Sequence, residues 1–135
     1  MNRDQIREFL PHREPMLLVD ETESDGVSGM GKYTVRGDEY FLQGHFPGNP
    51  IVPGVILCEI MAQCCAAAFK DTVKGKTPMF TGLNNVRIKK PVRPGDTFVV
   101  KFVLEKQKQP FYFFKTQGYV GDILSISGDF SFALV

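Results

Sequence analysis

The sequence predicts an α+β layer fold in which one long helix lies on an antiparallel sheet of five or six strands. Three observations lead there. Val55 to Phe69 contains no Gly or Pro and is rich in Ala, Leu, Met and Ile, enough for about four helical turns. From Met79 onward, strand-length segments alternate with short turn signals at Pro91–Asp96 and Gly121–Asp122, the pattern of neighbouring antiparallel strands. The 135 residues, 43% of them hydrophobic, suit a single domain spanning residues 1–135 with one core between helix and sheet.

Each element follows in chain order. Arg3 to Leu10 is a short helix stopped by Pro11. Met16-Leu17-Leu18-Val19 reads as a buried strand running on into polar residues. Asp25-Gly26 is a turn, and Gly29 to Arg36 returns as the partner strand of a hairpin. Tyr40 to Gly54 holds Gly44, Pro47, Gly48, Pro50, Pro53 and Gly54, too dense a punctuation for a regular element. The long helix starts there, with Pro53 and Gly54 at its mouth. Met79 to Lys90, Phe98 to Lys106, Phe111 to Val120 and Ile123 to Val135 are the remaining strands. In the second, Phe98, Val100, Phe102 and Leu104 face one side; in the last, Ile126, Gly128, Phe130, Phe132 and Leu134 share a face.

Sixteen basic residues against fifteen acidic ones leave a net charge of +1, so no overall field favours nucleic acid. No run of ~18 uncharged apolar residues suggests a membrane span. Charges at Arg3, Asp4, Arg7 and Glu8 fall where a secretory signal needs an apolar stretch. Cys58, Cys64 and Cys65 are an odd set without metal-finger spacing. Together these point to a reduced, cytoplasmic protein whose cysteines are small core residues rather than nucleophiles.

The helix carries one conspicuous charge. Between Glu39 and Asp71, Glu59 is the only acidic residue and Lys70 the only basic one. Glu59, Gln63 and Lys70 fall on a single stripe of an otherwise apolar helix, which marks a buried helix. Burying a lone carboxylate costs several kcal/mol unless it is paired, protonated or facing a polar cavity. Glu59 is therefore a candidate general acid, although a carboxylate reaching solvent or holding a structural hydrogen bond reads equally well from the helix alone. His45 lies fourteen residues earlier in Gln43-Gly44-His45-Phe46-Pro47-Gly48, on the loop that feeds the same helix. A base and an acid delivered by one Gly/Pro-shaped unit form a candidate acid–base pair. Gly54 adds a helix N-terminus with free N–H groups and no side chain, suited to polarising a carbonyl. The set suits proton chemistry α to a carbonyl.

These residues form longer motifs. Leu10-Pro11-His12-Arg13, Leu17-Leu18-Val19-Asp20, Gly44-His45-Phe46-Pro47-Gly48, Pro53-Gly54-Val55 and Glu59-Ile60-Met61-Ala62-Gln63 stand in order along the chain, followed by Val86 to Val92 and Pro94-Gly95-Asp96. In this the chain resembles the FabZ-type 3-hydroxyacyl-acyl-carrier-protein dehydratases; the FabA-type relatives carry Asp where this chain has Glu59. The resemblance implies the hot-dog fold, a central helix wrapped by an antiparallel sheet. It implies a homodimer, commonly assembled as a trimer of dimers, with His45 of one subunit facing Glu59 of the other. It further implies that His45 removes the α proton and that Glu59 helps the β-hydroxyl leave. The Gly54 amide would bind the thioester carbonyl, while Gln63 and Phe46 contact substrate or orient the carboxylate. The product would be a trans-2-enoyl thioester in fatty acid biosynthesis, formed with no metal and no other cofactor. His12 is read as structural. Glu14 and Ser125-Ile126-Ser127 depart from the family's usual residues, away from the proton chemistry.

Val86 to Lys115 holds eight basic residues against Asp96 and Glu105, a net +6 in a chain of net +1. Arg87, Lys89, Lys90 and Arg93 are the candidate contacts for an acidic acyl-carrier protein; otherwise these are solvated strand residues that blunt an edge. Twelve phenylalanines and no tryptophan supply ample apolar volume, for which core packing is the default. Two other readings stand beside the dehydratase: a non-catalytic acyl-carrier-binding hot-dog module, and a hot-dog thioesterase or enoyl-CoA hydratase.

Overall fold

In the computed structural model, which describes residues Met1–Val135, the chain begins with a reciprocal cap. The Asn2 side chain accepts from the Gln5 N–H and the Gln5 side chain accepts from the Asn2 N–H, opening helix α1 (Arg3–Arg7). This helix ends before the predicted Leu10. Past it, Phe9 and Leu10 are buried, and the Arg13 guanidinium donates to the carbonyls of Arg7, Leu10 and His12. Those bonds fold Leu10 to Arg13 into a fixed turn.

Met16 to Val19 is not the predicted strand. Strand β1 is Glu21–Ser24, paired with β2 (Ser28–Thr34) across the Asp25-Gly26 turn. Leu17, Leu18 and Val19 are buried all the same. What replaces a strand partner is the amide of one side chain: Leu18 N–H donates to Gln63 Oε1 and Gln63 Nε2 donates to the Met16 carbonyl, each at 2.8 Å.

Helix α2 (Gly54–Cys65) winds tighter at its end. Ala66–Phe69 is a 3-10 turn rather than α-helix, with the Ala66 N–H reaching the Gln63 carbonyl, and a short α3 (Lys70–Val73) follows. The tighter turn seats Phe69 on Tyr112, ring centroids 4.6 Å apart.

The remaining strands are β3 (Pro78–Ile88), β4 (Thr97–Lys108), β5 (Phe111–Val120) and β6 (Ile123–Leu134). All six pair antiparallel in the order β1-β2-β4-β5-β6-β3. The sheet is thus no simple meander: α2 carries the chain across, so β3 joins β6 at the far edge and β2 pairs with β4. Phe98, Val100, Phe102, Tyr112, Phe114, Ile126, Phe130 and Phe132 are buried, the inner parity turned toward α2. Lys101, Val103, Phe113 and Lys115 face out. The central helix lying on an antiparallel sheet is the hot-dog architecture. No helix is long and apolar enough to cross a membrane.

Candidate active site

The Tyr40–Gly54 loop holds His45 by backbone bonds at both sides. A 3-10 turn at Tyr40–Leu42 precedes it, and the His45 N–H donates to the Leu42 carbonyl. Phe46 and Asn49 exchange N–H···O bonds, and the Ile51 N–H donates to the His45 carbonyl. Gly44 and Gly48 have φ of 82° and 70°, a conformation that side chains disfavour, so the glycines around the histidine are what let the loop fold back. The His45 Nδ1 lies 2.9 Å from the Ile51 carbonyl. A carbonyl can only accept, so Nδ1 carries the proton and Nε2 presents a lone pair in the neutral ring. Phe46 stacks on the imidazole, centroids 4.2 Å apart, and is itself half exposed.

Glu59 stands one turn along α2 from its mouth. Its Oε2 accepts from Gln63 Nε2 at 2.8 Å and lies 3.3 Å from His12 Nε2. The Glu59 side chain keeps 23% of its surface, so it is less enclosed than the helix pattern implies, and the turn from Leu10 to Arg13 brings a polar partner over it. Gln63 is 2% exposed and uses its amide on Met16, Leu18 and Glu59. It ties the carboxylate to the amino-terminal segment.

His12, read from sequence as structural, stands beside the candidate carboxylate. Its Nδ1 is buried and has no hydrogen-bond partner. The available signal was arithmetic: the chain has only two histidines, and both sit in Gly/Pro- or Pro-marked motifs.

No hydrogen bond or ion pair joins His45 and Glu59 within the chain. A small cavity does adjoin Glu59, walled by His12, Ala62, Ala66, Phe69, Phe80 and Phe132 among others.

At the mouth of α2, the N–H groups of Ile56 and Leu57 both turn to the Pro53 carbonyl, whereas Gly54 and Val55 donate to no acceptor in the chain. The space a side chain would take at Gly54 is already occupied: an added Cβ would lie 2.5 Å from Ile88 Cδ1. The glycine thus leaves room at the helix mouth for the tip of the exposed Ile88 side chain, a contact that the sequence did not reveal.

The predicted carrier contacts cluster at that same end. Arg87, Lys89, Lys90 and Arg93 are all exposed. Arg93 donates to the Asn49 side chain at 2.7 Å and the Val52 N–H donates to the Val92 carbonyl, which fastens this segment to the His45 loop. Ser125, one of the departures from the family pattern, accepts from the Lys89 and Lys90 N–H groups and donates from Oγ to the Lys90 carbonyl. Lys101 and Lys115 lie apart, on the outer sheet face. Burial pushes the thiols of Cys58, Cys64 and Cys65 up, away from the reactive thiolate.

Comparison with known proteins agrees with this picture. Residues 21–125 match the ApeI-like family, described as ApeI dehydratase. A protein of Clostridium perfringens named 3-hydroxyacyl-[acyl-carrier-protein] dehydratase FabZ is 42% identical over 137 residues, covering 99% of each chain. One of the same name from Caldicellulosiruptor saccharolyticus is 44% identical, covering 96% of this chain and 95% of its own. Among solved structures, the dehydratase heterocomplex ApeI:P from Xenorhabdus doucetiae superimposes with a TM-score of 0.82 at 22% identity, over 96% of this chain and 90% of that one. The fluoroacetyl-CoA-specific thioesterase FlK superimposes at 0.68 with 15% identity, over 85% and 87%; these two likenesses concern the fold alone. On sequence identity over its full length, the chain belongs to the FabZ-type 3-hydroxyacyl-[acyl-carrier-protein] dehydratases.

Proposed function

We propose that this chain dehydrates (3R)-hydroxyacyl thioesters on acyl-carrier protein to trans-2-enoyl thioesters, as a hydro-lyase of fatty acid biosynthesis. The observation that carries the reading is the state of His45: Nδ1 donates to the Ile51 carbonyl, so Nε2 is left as a base. His45 Nε2 takes the α proton, and its electron pair develops onto the thioester carbonyl. The free Gly54 N–H stabilises that oxygen. As the charge returns to form the C2–C3 double bond, Glu59 gives a proton to the departing β-hydroxyl, which leaves as water. The α C–H and β C–O bonds break as the C2–C3 double bond and water form, with no net oxidation or reduction, so the step consumes no redox cofactor.

Because His45 and Glu59 are unconnected within one chain, the complete site takes His45 from one copy and Glu59 from another. The β3 edge has no strand partner on its outer side and exposes Met79, Leu83 and Ile88, an edge suited to pairing with a second copy. A trimer of such dimers is the further assembly this reading allows. The exposed Arg87, Lys89, Lys90 and Arg93, fastened to the His45 loop, suit an acidic carrier protein arriving at the helix mouth.

The test is hydration of crotonyl thioesters on acyl-carrier protein and on coenzyme A, followed by loss of enoyl absorbance. His45-dependent turnover favouring the carrier protein is expected. A folded protein inactive on both carriers returns the chain to a binding role. Shared sites are tested by mixing His45→Ala and Glu59→Gln subunits: part of the activity returns in verified heterodimers, and its absence rejects the arrangement.

A further inference from the structure

The loop that carries His45 leaves the sheet through a second carboxylate. Tyr33, next to the last residue of β2, is 2% exposed, and its hydroxyl donates to Glu39 Oε2. The same oxygen accepts from the Arg36 N–H at 2.9 Å, and Glu39 Oε1 accepts from the Gly37 N–H at 2.7 Å. Gly37 has a φ of 111°, so the backbone turns here in a conformation that suits glycine, and the carboxylate closes the turn. From Glu39 onward, backbone bonds lead to the histidine in steps of three residues. The Leu42 N–H donates to the Glu39 carbonyl, the Gln43 N–H to Tyr40 and the His45 N–H to Leu42. The Arg36 guanidinium lies over the Tyr33 ring, 4.7 Å from its centroid. Burial and the adjacent Glu39 push the Tyr33 phenol up, so it stays a donor. Burial alone would raise Glu39, but the bonds from Tyr33, Arg36 and Gly37 outweigh it and hold the carboxyl below its ordinary value.

We infer that Glu39 is a positioning residue for catalysis: with Tyr33 it fixes the direction in which the His45 loop leaves β2, and so where the imidazole stands. The inference rests on His45 acting as the base, as proposed above. A reacting group displaced by about 1 Å can lose about a hundredfold in rate, so the anchor of this loop bears directly on turnover. Glutamine has the shape of Glu39 but cannot replace it. Whichever way its amide is turned, the NH₂ group meets the N–H of Arg36 or of Gly37, donor against donor. None of these contacts involves the basic residues at the end of β3. The effect therefore falls on kcat, and equally for carrier-protein and coenzyme A thioesters.

The experiment measures kcat and KM for crotonyl hydration on both carriers in the wild type, Glu39→Gln and Tyr33→Phe, with thermal melts to verify folding. In parallel, ring resonances are recorded on protein carrying ¹³C-labelled histidine. The chain has only two histidines, so His12→Asn assigns the spectrum. Glu39→Gln is expected to lower kcat by about tenfold to a hundredfold, to leave KM within twofold, and to shift the His45 resonances but not those of His12. Tyr33→Phe keeps both backbone bonds to Glu39 and is expected to show the same changes on a smaller scale; it replaces Glu39→Gln if that variant does not fold. An unmoved kcat, or unmoved His45 resonances, in a folded variant overturns the inference. A shift of both histidines reports general loosening and overturns it as well. If the wild type hydrates neither thioester, the dehydratase reading fails separately, and the resonances alone decide whether Glu39 positions His45.

Discussion

Gln63 Nε2 donates to Glu59 Oε2 across 2.8 Å, and the same side-chain amide pairs with the Met16 carbonyl and the Leu18 N–H. One residue thus joins the carboxylate to the backbone of a buried segment that has no strand partner. The orientation of Glu59 and the docking of the amino-terminal segment are one structural problem with one solution.

Gln63→Met therefore leaves a buried N–H and a buried carbonyl unpaired, each worth roughly 1–3 kcal/mol. Urea denaturation is expected to show a loss of about 2 kcal/mol or more, and crotonyl hydration to slow because Glu59 is no longer held. A variant with wild-type stability and rate excludes this coupling.

The 3.3 Å approach of His12 Nε2 to Glu59 Oε2 suits a positioning residue. His12→Asn keeps a polar group in the Leu10–Arg13 turn but cannot reproduce the approach of Nε2 to the carboxylate. Turnover is expected to fall about tenfold, at the low end of effects on acid–base groups, with an altered pH–rate profile and an unchanged melting temperature. An unchanged profile at a reduced rate assigns His12 to packing alone.

Much of this could be read from the residues. The α2 stripe of Glu59 and Gln63, the Gly-framed His45 and the parity of β4 and β6 follow from spacing and hold in three dimensions. What spacing missed are contacts between distant segments. Met16 to Val19 has the composition of a strand, but its partner is a side chain 45 residues beyond Leu18. His12 meets Glu59 only because Arg13 binds three carbonyls and folds the intervening turn. Gly54 is explained partly by Ile88, at the far end of β3, which no local pattern reveals. The position of β3 next to β6 is likewise decided by where α2 crosses the sheet.

The basic end of β3 supplies a separable prediction. Lys89→Glu with Lys90→Glu reverses charge on exposed side chains, so the fold is expected to persist while KM rises severalfold for carrier-protein substrates and stays unchanged for coenzyme A thioesters. The carrier-protein KM of the wild type is expected to climb with salt. An equal effect on both substrates contradicts a docking role.

Asp20 gives the fold a pH dependence. Burial alone would raise its carboxyl, but hydrogen bonds from Arg36 and the Thr34 N–H, with help from Arg3, outweigh this and hold it below its ordinary 3.8. The unfolded chain then binds a proton more readily than the folded one, so the contribution is complete above that value and is lost as pH falls through the lowered folded one. Asp20→Asn is expected to lose stability at neutral pH and to show a shallower decline below about pH 4, measured by urea melts across the range. A slope identical to the wild type removes Asp20 from the acid transition.

The central claim is that His45 and Glu59 carry out the proton transfers of dehydration. Its most direct measurement is formation of the enoyl thioester from 3-hydroxybutyryl-acyl-carrier protein by the wild type, His45→Ala and Glu59→Gln, each verified as folded. The account predicts wild-type turnover and a loss of roughly 10²- to 10⁴-fold in either variant. Rates within a few-fold of the wild type in a folded variant would contradict it.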